Sequence, residues 1–95
     1  MAAYIIVNVD VLDAGRYPEY TKQVPATLAA YGGRFIVRGG RAERLEGATE
    51  PQRVVVIEFA DAAAARAWWH SAEYAGPKAL RQAIAKADIM LVEGV

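Results

Sequence analysis

The first β-branched segment, Ala3 to Val11 (Ala-Tyr-Ile-Ile-Val-Asn-Val-Asp-Val), is apolar on both of its alternate faces. A strand places successive side chains on opposite sides, so each face of its sheet needs its own cover. Arg53 to Phe59 (Arg-Val-Val-Val-Ile-Glu-Phe) and Asp88 to Glu93 (Asp-Ile-Met-Leu-Val-Glu) read the same way. A fourth strand starts near Arg34, between the pairs Gly32-Gly33 and Gly39-Gly40. Gly39-Gly40 either closes a tight hairpin or bends a longer strand that runs on to Leu45. The polar segment Glu46 to Gln52 already supplies a turn, which favours the bend.

Two helical stretches lie between these strands. Tyr17, Tyr20, Val24, Leu28 and Tyr31 recur at helical spacing, with Asp13 as the expected cap and Pro18 in the first turn. Pro25 falls inside that stripe and should kink or split the helix, and Gly32 should end it. Asp61 should cap an alanine-rich helix running to about His70. Ser71 to Tyr74 interrupts it, and Gly76-Pro77 restarts a helix through about Lys86. The order is βαββαβ in one domain spanning residues 1–95. That order implies an α+β, ferredoxin-like fold: a four-stranded antiparallel sheet with helices on one face.

Helices on one face leave the other face open. One parity holds Ile5, Val7, Val9, Phe35, Val37, Val55, Ile57, Phe59, Ile89 and Leu91. The other holds Tyr4, Ile6, Asn8, Arg34, Ile36, Arg38, Val54, Val56, Glu58, Met90 and Val92. Which set meets the helices stays open at this level. Both are too apolar for water, so the sequence implies a homodimer packed sheet to sheet.

Composition removes several classes of function. There is no cysteine, which excludes disulfides, thiolate catalysis and sulfur-bound metals. The single histidine, His70, excludes multi-histidine sites. Asp10, Asp13, Glu43 and Glu46 have no metal-ligand spacing, and no phosphate loop follows a strand. Eleven basic residues balance eleven acidic ones, so no net field draws the chain to nucleic acid or an anionic membrane. No apolar run is long enough to span a bilayer. With no signal-like N-terminus, the expected home is the cytoplasm. No cofactor and no metal are expected.

The polar members of the second parity are Asn8, Arg38 and Glu58. Buried charges must pair or line a wet cavity. In one reading Arg38 and Glu58 form a structural ion pair on adjacent strands. In the other Arg38 faces a pocket and takes a carboxylate, phosphate or enolate oxygen. Trp68 and Trp69 point about 100° apart on a helix, so one enters the core while its neighbour faces a cleft or a dimer contact. His70 reads as a helix-dipole residue or as a general acid/base. Ser71 reads as a turn or cap. Tyr17 and Tyr20 are core stripe first and pocket lining second.

Several of these stretches resemble the bacterial family called domain of unknown function 1330, small proteins of the dimeric α+β barrel class. They are Tyr17-Pro18-Glu19-Tyr20, Ala29 to Gly40, Leu45-Glu46-Gly47, Val55 to Phe59, Ala67 to Tyr74 and Val92 to Val95. The family usually shows Trp-Tyr-x-Ser-Pro-Glu-Tyr where this chain has Trp69 and Ala72, and Gly76-Pro77 breaks a helix that is commonly continuous. The wider superfamily contains cofactor-independent monooxygenases and small isomerases, some of which hold an aromatic substrate with a strand-one asparagine and a tryptophan. Asn8 and Trp68 or Trp69 are similar in type. The resemblance and the residues together imply a ligand-binding homodimer, an oxygenase or isomerase acting on a small anionic or aromatic metabolite. Arg38 holds the anion, Asn8 donates a hydrogen bond, Trp69 and Tyr74 form walls, and Tyr20 and Gly39 complete the site. Asn8, Arg38 and His70 are the catalytic candidates. The alternative is a non-catalytic structural or binding dimer with an Arg38–Glu58 ion pair.

Overall fold

A computed structural model describes residues 1–95. Its elements run β1 (Ala3–Val11), α1 (Tyr17–Thr21), α2 (Val24–Ala29), β2 (Arg34–Arg38), β3 (Arg53–Phe59), α3 (Ala62–Trp69), α4 (Ala72–Ile84) and β4 (Ala85–Glu93). The sheet order is β2-β3-β1-β4, and every neighbouring pair is antiparallel. With the helices on one face, this is the expected ferredoxin-like fold. No helix is long and apolar enough to cross a membrane.

The register decides which parity faces the helices. In β1, Ala3, Ile5, Val7 and Val9 are buried, and Val55, Ile57 and Phe59 of β3 join them. Ile5 sits between Ile57 and Leu91, and Ile6 between Val56 and Met90. The first parity is therefore the core side in these strands. The second lies on the open face, where Met90 is 61% exposed.

The helices end where local chemistry ends them. Pro25 sits in the first turn of α2 and separates it from α1, because proline lacks the N–H that a continuous helix needs there. Gly32 takes a φ of 71°, and the Gly33 N–H donates to the Leu28 carbonyl at 3.0 Å, closing the end of α2. Asp61 caps α3, its carboxylate accepting from the Ala64 N–H at 2.8 Å. Asp13 acts one step earlier than expected: it accepts from the Arg16 N–H in the turn before α1, while the cap position itself is Arg16.

Three expectations need correcting. Helix α4 starts at Ala72 and runs unbroken through Gly76-Pro77. Ser71 caps it, accepting from the Tyr74 N–H at 3.1 Å. Gly76 has no Cβ for the Pro77 ring to strike, which relieves the usual clash before proline. Strand β4 begins at Ala85, three residues earlier than Asp88, because the far end of β1 pairs with Ala85 to Ala87.

The third correction concerns β2, which ends at Arg38 and does not continue to Leu45. Its bulge lies inside the strand. Phe35 opposes Ile57, but Val37 opposes Val56 and Arg38 opposes Val55. Ile36 is the extra residue, and one extra residue moves everything after it to the opposite side. Val37 therefore turns to the open face, and Arg38 turns toward the helices.

The core packs α1 to α4 on the sheet. Trp68 and Tyr74 stack with ring centroids 4.0 Å apart, and both are essentially buried. The Trp68 indole N–H donates to the Thr27 hydroxyl at 3.0 Å, so its one polar atom is satisfied.

Candidate functional site

A narrow cavity opens between the sheet and the helices. The floor is sheet: Val7, Val55 and Ile57, with Phe35 at one edge. The helices contribute the aromatic side, Tyr17, Tyr20, Trp69 and Tyr74. Three arginines complete the lining: Arg38 from β2, Arg53 from β3 and Arg81 from α4. No aspartate, glutamate or histidine lines it. An apolar slot holding three permanent positive charges and no counter-charge has the chemistry to accept an anion.

Arg81 carries most of that inference. Tyr74, Pro77, Arg81 and Ile84 form the buried stripe of α4, so the helix that packs Tyr74 into the core brings Arg81 with it. Arg81 is 5% exposed, and its Nε is buried without a hydrogen-bond partner. The ion pairs of the chain lie elsewhere, at Arg16–Glu19, Arg34–Glu58 and Arg44–Glu50. A guanidinium keeps its proton even when desolvated, so an arriving anion would lower the cost of its burial.

Arg53 is the second unpaired group, its Nε buried and also without a partner. Its guanidinium carbon lies 5.7 Å from the centre of the Tyr17 ring. Gly39, with a φ of 73°, leaves the space that Arg53 occupies, since a Cβ there would overlap the guanidinium. Arg38 is exposed and stacks on the Phe35 ring at 4.3 Å, which puts it at the mouth.

The tyrosines supply neutral donors. The hydroxyls of Tyr20 and Tyr74 are 2.8 Å apart and buried. Burial first, then the neighbouring Tyr74, pushes the Tyr20 phenol well above its ordinary 10.0. Burial also raises Tyr17, against the pull of Arg53 and Arg81. Both stay protonated at neutral pH. The lining thus holds positive charge and hydroxyl groups but no carboxylate or imidazole base, an arrangement able to stabilise an oxyanion rather than to take up a proton.

Of the residues singled out in the sequence, Tyr20, Arg38, Trp69 and Tyr74 meet in this cavity. Asn8 is on the other side of the sheet. Its side-chain amide accepts from the Gln52 N–H at 2.8 Å and donates to the Glu50 carbonyl at 3.2 Å, pinning the loop before β3. His70 is an exposed residue at the C-terminus of α3, outside the cavity. The Arg38–Glu58 ion pair does not form, because the bulge at Ile36 sends the two side chains to opposite faces. Glu58 pairs instead with Arg34 at 2.7 Å. Two site residues escaped the sequence reading, although signals existed for both. Arg53 shares the core parity of β3, and Arg81 lies seven residues, two helical turns, after Tyr74.

The sequence matches the model of one protein family, Domain of unknown function (DUF1330), over residues 2–95. The chain belongs to that family. Among curated proteins, none matches this DUF1330 chain in sequence. Its fold is similar to that of a protein of unknown function from Rhodopseudomonas palustris, with a TM-score of 0.81 and 16% identity over 99% of this chain and 82% of the other. It is also similar to SnoaB, a cofactor-independent oxygenase from Streptomyces nogalater (TM-score 0.69, 16% identity, 99% and 93% covered). A dimeric ferredoxin-like protein of unknown function from a Jannaschia species is similar as well (TM-score 0.67, 15% identity, 99% and 100% covered). At these identities the DUF1330 chain shares a fold with them.

Proposed function

We propose that the cavity binds a small, flat organic anion, and that two copies of the chain pack open sheet face against open sheet face. The observation that carries the first part is Arg81: buried, permanently charged, and without an acidic partner. Phe35, Val55, Ile57 and Trp69 offer apolar surface for the body of the ligand, and the bonded pair Tyr20–Tyr74 has one hydroxyl proton left to donate. Arg38 guards the mouth. Asn8 and His70 take no part in binding at this cavity.

The fold shared with a cofactor-independent oxygenase supports reading the anion as a substrate. Arginines beside a phenol or enol lower its pKa and hold the resulting oxyanion. Such an electron-rich anion is the species that reacts with dioxygen without a bound cofactor. A second reading, capture of the same anion without turnover, is favoured by the lack of a carboxylate or imidazole base in the lining.

The dimer rests on the open face, where Ile36, Val37, Met90 and Val92 are exposed on one chain alone. A related fold is dimeric, which supports the same reading. We read the dimer as cytoplasmic, in keeping with a chain that has no cysteine.

Titration calorimetry with benzoate and salicylate tests the anion site. Binding that disappears in Arg81→Met is the expected result; a wild-type protein indifferent to both overturns the reading. Sedimentation tests the dimer separately, and a stable monomer at micromolar concentration would remove it.

A further inference from the structure

We propose that the ligand of this cavity is doubly charged, a flat apolar body carrying two ionised acidic groups, one taken by Arg81 and the other by Arg53. This rests on the anion-binding reading above and narrows it to a class of compound.

The count of unmet charges leads there. Three guanidiniums line the cavity, but they do not make equal demands. Arg38 is exposed, and water together with the Phe35 face meets its needs. Arg81 and Arg53 are different, because each has a buried Nε with no acceptor. In the end-on pairing of arginine with carboxylate, the two terminal nitrogens grip the two oxygens together. One carboxylate balances one such fork. A singly charged ligand would leave the second guanidinium partly desolvated and still without a counter-charge.

The two forks also come from opposite walls. Arg53 opens β3 on the sheet side, and Arg81 sits in the last turn of α4 on the helix side. The Tyr17 ring lies on the Arg53 side, 5.7 Å from its guanidinium carbon. The rest of the lining there is apolar, with Val55, Ile57 and Trp69 available to the body of the ligand. Two acidic groups separated by a ring or an unsaturated linker match this layout. A compact phosphate presents its charges at one point and has no apolar body to place.

Calorimetry on the intact protein near neutral pH, with benzoate, isophthalate, terephthalate and inorganic phosphate, decides the matter. At least one dicarboxylate should bind about tenfold or more tightly than benzoate, the margin that one extra charged pair supplies. Arg53→Gln should erase that margin, bringing the better dicarboxylate to within about twofold of benzoate measured on the same variant. Benzoate equal to the better dicarboxylate overturns the two-charge inference while the anion site stands. Phosphate as the tightest ligand overturns the flat body. Failure of all four to bind at millimolar concentration overturns the site and this inference with it. The ligand series on wild-type protein gives these answers even if the variant does not fold.

Discussion

Arg34 and Glu58 face each other across β2 and β3 with 2.7 Å between nitrogen and oxygen, on the open side of the sheet. That pair occupies Glu58 and lies on the face opposite Arg38. The two arginines at the ends of one five-residue strand thus do different work, one in an ion pair and one at a cavity mouth.

Arg38→Ala should therefore leave stability nearly unchanged, within about 0.5 kcal/mol, as for an ordinary exposed side chain. Arg34→Ala should cost the single chain no more than about 1 kcal/mol, since Arg34 is 71% exposed there and water screens the pair. Urea midpoints of the two variants measure this. A loss of several kcal/mol in Arg38→Ala would restore a buried pairing for Arg38.

Arg81→Met should make the empty protein more stable, by about 1 kcal/mol or more. Methionine keeps a long apolar stem and removes a desolvated charge that nothing in the chain balances. The same variant should lose anion binding. Denaturation with and without benzoate reads both effects, and a clear destabilisation of the empty variant would argue for a hidden partner.

Stability should fall as the solution becomes alkaline. Below pH 10.0 the folded and unfolded chains both keep the Tyr20 proton; above it the unfolded chain releases it while the folded chain holds it. Unfolding then loses a proton, so the stabilisation present below pH 10.0 decays with rising pH by up to about 1.4 kcal/mol per unit. Tyr20→Phe should flatten this slope. It should also cost about 1–3 kcal/mol at neutral pH by leaving the buried Tyr74 hydroxyl without its partner. Urea midpoints at pH values on either side of 10 provide the comparison.

The glycines after α2 should differ in their tolerance of a side chain. A Cβ on Gly33 would lie 2.7 Å from Phe59 Cε1 and 2.9 Å from Leu28 Cδ2, both core atoms. Gly33→Ala should cost about 1–3 kcal/mol by overpacking. Gly32→Ala meets open space and pays only for its φ of 71°, about 1–2 kcal/mol. Thermal melts of the two variants rank them, and Gly32→Ala as the more damaging would reverse the assignment.

Much of the fold was legible because it is written in local chemistry. Pro25 splits a helix wherever that helix packs, Asp61 caps one through its own neighbours, and alternation in β3 follows from the pleat. The candidate site was half legible. Tyr74 and Trp69 announced themselves as aromatic walls, but Arg38 was placed on the same sheet parity as Glu58. Phe35-Ile36-Val37 is apolar throughout, so its pattern is the same with or without an extra residue. Only the partner strand can show where the bulge falls, and hence which face Arg38 joins.

The amino-acid sequence by itself determined the βαββαβ order, the caps and breaks, and the presence of two apolar sheet faces, because each depends on residues close in the chain. The tertiary structure alone decided that Arg38, Arg53 and Arg81 share one cavity and that no acid enters it. Those residues come from two strands and a helix, and only packing brings their charges together and keeps every carboxylate out of the same lining.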